Sequence, residues 1–107
     1  MKSAKIYFQD TLAGRLVENE EGFLFVYDTE YLQNPLSQAI SLTLPLRPQL
    51  YKSDVLFPFF DGLIPEGWLL DIAQENWKID PRDRMALLLA CCRNCIGAVS
   101  VIAETNE

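Results

Sequence analysis

The two halves of the chain follow different residue patterns, and this division leaves few folds open. In the first half, strands are predicted for residues 5–8, 14–17 and 23–27, the last of which is rich in the aromatic and β-branched side chains that favour strands. Residues 10–13 and 19–22 lie between these segments and are typical of turns. The pattern predicts three short strands in an antiparallel meander.

Two further strands are predicted outside the meander. In residues 40–44 apolar and polar side chains alternate with a period of two, as in a half-buried strand, and Pro45 and Pro48 are expected to end it. Residues 98–102 are rich in valine and isoleucine, which indicates a last strand that returns to the sheet.

The second half is predicted to be mainly helical. A short helix is expected at Pro58, because proline suits the first helical turn, and a longer one at residues 65–77. A third helix is predicted to begin with Asp80 as its cap, Pro81 at its first position and Asp83 in its first turn. It should end after residue 92 and before the glycine at residue 97.

Length and composition are those of one globular domain. The chain has 107 residues, of which 50% are hydrophobic, and it contains no repeat and no linker-like stretch. We therefore expect a single domain over residues 1–107 of the α+β class: a small antiparallel sheet with a few helices packed on one side.

The charge balance bears on the kind of partner. Nine lysines and arginines against fifteen aspartates and glutamates leave a net charge of −6, and the acids are spread along the chain. Nucleic-acid binding needs clustered cations that displace condensed counterions, and no basic recognition helix is present in the sequence. Direct binding to nucleic acid is therefore disfavoured.

Several kinds of chemistry are excluded by residue type. The chain has no histidine, so neither a Ser-His-Asp triad nor a Cys-His pair can form within it. The spacing of the five glycines matches no phosphate-binding motif. The longest apolar run, residues 85–92, is too short to span a bilayer, and the amino terminus lacks a signal-peptide core. We expect a cytoplasmic protein without a cofactor.

Cysteines and paired acids are the remaining candidates for chemistry. Cys91, Cys92 and Cys95 suit a reducing compartment, and on a helix Cys91 and Cys95 share a face as small apolar side chains. A metal or redox protein that uses these three thiols stays open as an alternative, although a second ligand cluster is missing. The acid pairs, which could also be ordinary surface residues, are Asp61 with Glu66 and Asp71 with Glu75.

The two tryptophans are predicted to have different surroundings. On a helix over residues 66–77, Trp77 falls inside a broad apolar arc and should belong to the core, whereas Asp71 falls on the opposite side. Trp68 falls at the edge of the arc, where a large aromatic side chain is either a half-buried rim residue or an anchor for a partner.

Four ordered segments, residues 41–46, 59–67, 80–83 and 93–99, resemble the amino-terminal subdomain of HipA-type serine/threonine kinases, the toxins of bacterial toxin–antitoxin modules. The resemblance covers nearly the whole chain. It implies that the nucleotide-binding, metal-binding and catalytic segments belong to a kinase body that is absent here. No catalytic residue of the family carries over, and we expect a protein that is not an enzyme.

A free-standing copy of this subdomain is similar to HipS, the small component of tripartite HipB–HipS–HipT systems. The resemblance implies an antitoxin that neutralises a HipT-like kinase, with a HipB-like helix-turn-helix protein as the DNA-binding partner. The residues we expect to bind the kinase are Glu66, Gly67, Trp68 and Asp71. A subunit that completes and stabilises the kinase without blocking it is the alternative.

Overall fold

The computed structural model describes residues 2–64, 82–91 and 98–104. Within these ranges the chain forms five strands and three helices. The strands are β1 (Lys2–Phe8), β2 (Thr11–Asn19), β3 (Gly22–Tyr27), β4 (Tyr51–Ser53) and β5 (Val99–Ala103). The helices are α1 (Thr29–Gln33), α2 (Pro58–Asp61) and α3 (Arg84–Cys91).

The five strands form one sheet in the order β4-β3-β2-β1-β5, and all neighbours are antiparallel. The predicted meander is confirmed as β1-β2-β3, and the predicted last strand is confirmed as β5, which pairs with β1. The first turn is tighter than expected: Gln9 and Asp10 alone connect β1 to β2, and Gln9 adopts a left-handed φ of 57°.

Gly22 is a position where the sheet requires glycine. Its φ of 134° is a conformation that other residues rarely adopt, and a Cβ atom there would overlap the carbonyl oxygen of Ser53. The bare backbone lets the start of β3 lie close to the end of β4, where Phe23 pairs with Ser53.

The core lies on one face of the sheet. Along β1, Ala4 and Ile6 are buried whereas Lys5 between them is exposed, as the alternation of a strand requires. The helices supply the other side of the core, and the largest fully buried side chains of the whole cluster are Phe25, Phe60, Ile6, Leu16, Met85, Leu87, Leu88 and Val101. The predicted α+β class, a small antiparallel sheet with a few helices, is confirmed.

The strand predicted at residues 40–44 is wrong. Ser41 and Leu44 form an isolated bridge across a tight turn, with the Leu44 N–H donating to the Ser41 carbonyl at 3.1 Å. Ile40 and Leu44 are buried, but Leu42, which would share their face in a strand, is 99% exposed. The Ser41 hydroxyl accepts the Thr43 N–H at 3.2 Å, and this local hydrogen bond favours a turn over a strand.

The start of the third predicted helix also needs correction. We expected Asp80 as the cap and Asp83 in the first turn, but α3 begins at Arg84 and Asp83 takes the cap position. Its Oδ1 accepts the Ala86 N–H at 3.0 Å, the hydrogen bond that a helix cap supplies. Pro58 stands at the first position of α2, as predicted.

Two elements were not predicted, the helix α1 and the edge strand β4. Asp28 caps α1 by accepting the backbone N–H groups of Glu30 and Tyr31 at 3.2 and 3.4 Å.

Among the described helices, none is both long enough and apolar enough to cross a membrane.

Candidate interaction surface

The residues predicted to bind a kinase, Glu66, Gly67, Trp68 and Asp71, lie outside the described residues. The same holds for Glu75, Trp77, Cys92 and Cys95, and Cys91 is the last residue of α3. These expectations therefore stay predictions. What the structure does describe is the scaffold on either side of this stretch.

An ion pair joins the two flanks of the predicted kinase-binding stretch. The Arg84 Nε donates to Asp61 Oδ1 at 2.7 Å, which links the end of α2 to the start of α3. Both side chains are partly exposed, so the pair contributes little to stability, roughly 0–1 kcal/mol. Buried Phe60 and Ile64 anchor the same flank in the core. The Asp61 carboxylate, a candidate for acid–base chemistry with Glu66, thus has a basic partner.

A second electrostatic contact ties the start of α3 to the sheet. Lys2 Nζ lies 3.2 Å from Asp83 Oδ2 and 3.6 Å from Glu18 Oε1. The hydrogen bond to Asp83 is the main cause that raises the pKa of Lys2 above its ordinary value. The residue that caps α3 is therefore also held by β1.

The segment before β4 forms a well-anchored surface loop. We call residues 40–51 the Leu42 loop. Its first part is held by Tyr27 on β3, whose hydroxyl accepts the Ile40 N–H at 3.1 Å and donates to the Leu44 carbonyl. Burial raises the pKa of Tyr27 to about 12, so the hydroxyl stays a donor even where a free tyrosine ionises.

The second part of the Leu42 loop is folded around Tyr51. The Tyr51 hydroxyl donates to the Pro45 carbonyl at 2.6 Å. The Arg47 guanidinium lies 3.7 Å from the centre of the Tyr51 ring, and its Nη2 donates to the Leu50 carbonyl at 2.8 Å. The loop is thus held at both ends by hydrogen bonds to its backbone.

Exposed apolar side chains are concentrated around this loop. In the described part of the chain the large apolar side chains that face solvent are Leu36, Leu42, Leu46, Leu50 and Val55. Three of the five belong to the Leu42 loop. Sequence reasoning missed this surface because it placed Leu42 in a strand. A detectable signal was the lack of any aspartate or glutamate in residues 31–53 of an otherwise acidic chain.

The face of the sheet that points away from the core carries an ion pair. Arg15 on β2 binds Glu104 through two hydrogen bonds, Nε to Oε1 at 3.0 Å and Nη2 to Oε2 at 3.1 Å. Among residues 2–64, 82–91 and 98–104, no three potential metal-ligating side chains converge. The cysteine cluster lies largely outside these ranges and stays untested.

Comparison with known protein families and sequences gives two extensive matches. The model of the HipA N-terminal domain family matches residues 4–102. An uncharacterised protein of Haemophilus influenzae is 36% identical over 104 residues, a match that covers 97% of this chain and 94% of that protein. The putative kinase Y4mE of Sinorhizobium fredii is 23% identical over 103 residues, but this chain spans 24% of its length.

Solved structures agree with the family match. A structure described as the N-terminal domain of HipA toxin superposes with a TM-score of 0.71 at 31% identity, covering 100% of this chain and 96% of that one. HipA of Shewanella oneidensis MR-1, solved with HipB and its operator DNA, superposes with a TM-score of 0.77 at 22% identity. That match covers 96% of this chain and 24% of the HipA chain, and it shows a shared fold.

Proposed function

This chain belongs to the HipA N-terminal domain family, and from this membership we propose that it is an antitoxin. It binds and neutralises a HipA-like serine/threonine kinase of the HipT type in the cytoplasm. A HipB-like helix-turn-helix protein joins the complex and makes the contact with DNA. The chain itself contributes a binding surface and has no enzymatic activity.

One observation carries the proposal: the family contains the domain in two settings. The chain spans about a quarter of the putative kinase Y4mE, in which the domain is part of a much longer protein. The H. influenzae relative is matched over 94% of its own length, so that protein consists of little more than this domain. A separate copy of a domain that is otherwise joined to a kinase is suited to bind a kinase.

The proposed inhibitory residues are Trp68 and its neighbours Glu66, Gly67 and Asp71. In this mechanism the Trp68 ring projects from the start of the predicted helix and wedges against the kinase. Kinases close around ATP and its metal ions to position the phosphates, so a bulky ring in the cleft prevents this closure. The ion pair between Asp61 and Arg84 supports the segment by joining its two flanks.

Co-expression with a HipA-like kinase tests the proposal. We expect the chain to restore growth to cells that express the kinase, because the complex is catalytically blocked. Unchanged or increased toxicity would contradict an antitoxin. That result would favour the alternative, a subunit that completes the kinase, which is consistent with the domain being part of the HipA chain in the S. oneidensis structure.

Two tryptophan variants separate inhibition from stability. Trp68→Ala should cost the fold about 1–2 kcal/mol but weaken kinase binding by about 2 kcal/mol or more, so that protection fails although the protein is folded. Trp77→Ala should instead cost about 3–5 kcal/mol of folding free energy, because the ring is predicted to belong to the core. Full protection by Trp68→Ala would show that inhibition acts through another surface.

A further inference from the structure

We propose that the Leu42 loop is a second docking surface for the same kinase, with Leu42 as its anchor in an apolar pocket of the kinase chain. This inference rests on the proposed function, but it concerns a surface distinct from the predicted Trp68 segment. Leu42 is 99% exposed, although the residues on either side of its turn, Ile40 and Leu44, are buried. The burial of Ile40 and Leu44 thus fixes the turn in a position that leaves Leu42 in solvent.

The loop is preorganised, which separates it from an ordinary flexible loop. Tyr27 binds the backbone of Ile40 and Leu44, and Tyr51 binds the backbone of Pro45. The Arg47 side chain closes the remaining segment by donating to Gln49 and Leu50 carbonyls at 3.2 and 2.8 Å. A loop that is already ordered loses little conformational entropy when a partner binds, so an exposed apolar side chain on it can serve as an efficient anchor.

The composition of the loop is that of an interface core. Exposed leucines, an arginine and a tyrosine occur together, and acids are absent from residues 31–53. Protein interfaces are enriched in aromatic residues and arginine and depleted of aspartate and glutamate at their centres. The whole chain carries a net charge of −6, so a loop with an exposed cation, Arg47, and no acid has an electrostatic character of its own.

Charge decides between the candidate occupants. A symmetric dimer centred on this loop would bring Arg47 of one copy against Arg47 of the other, with no acid in the loop to neutralise them. One cation is too few for nucleic acid, and the acidic remainder of the chain is repelled by phosphate backbones and anionic lipid. The surface therefore fits a different protein, with an apolar pocket and an acidic rim.

The kinase is the occupant to which these observations point. In Y4mE and in S. oneidensis HipA the same domain is joined to roughly three times its own length of further chain. A domain that adjoins a larger body in its relatives needs a surface suited to that body. An exposed, rigidly held leucine within an acid-free stretch provides it.

Binding of purified variants to the HipA-like kinase tests this inference. Leu42→Ala should weaken the Kd by about tenfold to thirtyfold, as expected for an anchor residue, and leave thermal unfolding unchanged, since the side chain touches nothing in the free protein. Leu36→Ala is the matched control, because Leu36 is 84% exposed and lies outside the Leu42 loop. It should bind as the parent does.

A charge pair tests the acidic rim. Arg47→Glu should weaken binding several-fold at low salt and less at high salt, whereas Lys52→Glu, on the opposite face of β4 from Tyr51, should have a smaller effect. If the parent binds the kinase and Leu42→Ala binds equally well, the inference is wrong and the proposed function stands. Equal losses for Leu42→Ala and Leu36→Ala also overturn it. A parent that does not bind the kinase overturns both.

Discussion

A single hydroxyl on β3 holds the Leu42 loop against the sheet. Tyr27 both accepts the Ile40 N–H and donates to the Leu44 carbonyl, and all three residues are buried. Tyr27→Phe would leave two buried backbone groups without a partner, so we expect a loss of about 1–3 kcal/mol in the free energy of unfolding. Urea denaturation measures it. Tyr51→Phe, which loses one hydrogen bond to an exposed carbonyl, should cost about 1 kcal/mol or less.

The pH dependence of stability checks the same hydroxyl independently. Burial raises the pKa of Tyr27 to about 12 in the folded protein, against an ordinary value of 10.0. The stabilising contribution is therefore complete below pH 10.0 and is lost as the pH rises towards about 12, because the unfolded tyrosine ionises first. Over this window the parent should lose more stability than Tyr27→Phe does. Parallel curves for the two proteins would contradict this assignment.

The helix α3 depends on one side chain at its start. Asp83 accepts the Ala86 N–H and also binds Lys2. Asp83→Ala removes both contacts and should cost about 1–2 kcal/mol, whereas Asp83→Asn keeps an oxygen that can cap the helix and should cost well under 1 kcal/mol. Thermal unfolding of both variants measures the difference. An equal loss in the two variants would assign the effect to the ion pair instead of the cap.

Elements with strong local signals were predictable and the others were not. The meander follows from strand-forming segments separated by turns, and α2 from Pro58 at its start. In contrast, β4 has three residues and is a strand because it pairs with β3, which no local pattern reveals. The helix α1 has five residues, too few to show a helical period, and its one signal was Asp28 as a cap.

The Leu42 loop shows why the surface was harder to predict than the core. Alternation over residues 40–44 is compatible with a strand and equally with a turn whose two ends are buried. Which of the two forms is set by Tyr27, a residue distant in sequence, because its hydroxyl hydrogen-bonds to the loop backbone. An apolar residue type favours burial, so nothing local marks Leu42 as exposed.

At the scale of the whole molecule, Phe25 connects the parts of the core. Its ring lies 4.9 Å from Tyr27, 5.5 Å from Phe60 and 6.4 Å from Tyr51, measured between ring centroids. Phe25→Ala therefore removes contacts to the sheet, α2 and the Leu42 loop at once. The expected cost is about 3–5 kcal/mol, a large part of the roughly 5–15 kcal/mol that stabilises a typical domain.

Calorimetry and near-ultraviolet circular dichroism would measure the effect of Phe25→Ala. Phe59→Ala is the control, because that ring is half-buried and packs against Phe60 at the rim of the core. It should destabilise the protein much less. If Phe25→Ala melts within a few degrees of the parent, Phe25 does not connect the sheet, α2 and the Leu42 loop.

The pairing of β1 with β5 sets the order in which the domain can be completed during translation. Ala4 lies opposite Ala103, so the partner of the first strand is synthesised long after β1 itself. At about 5–20 residues per second, β1 waits on the order of five to twenty seconds with one edge unpaired. An open strand edge readily pairs with other chains, so a stalled ribosome or a premature stop would release a product prone to aggregation. Newly made chains are thus most exposed to misassembly in the interval before β5 emerges.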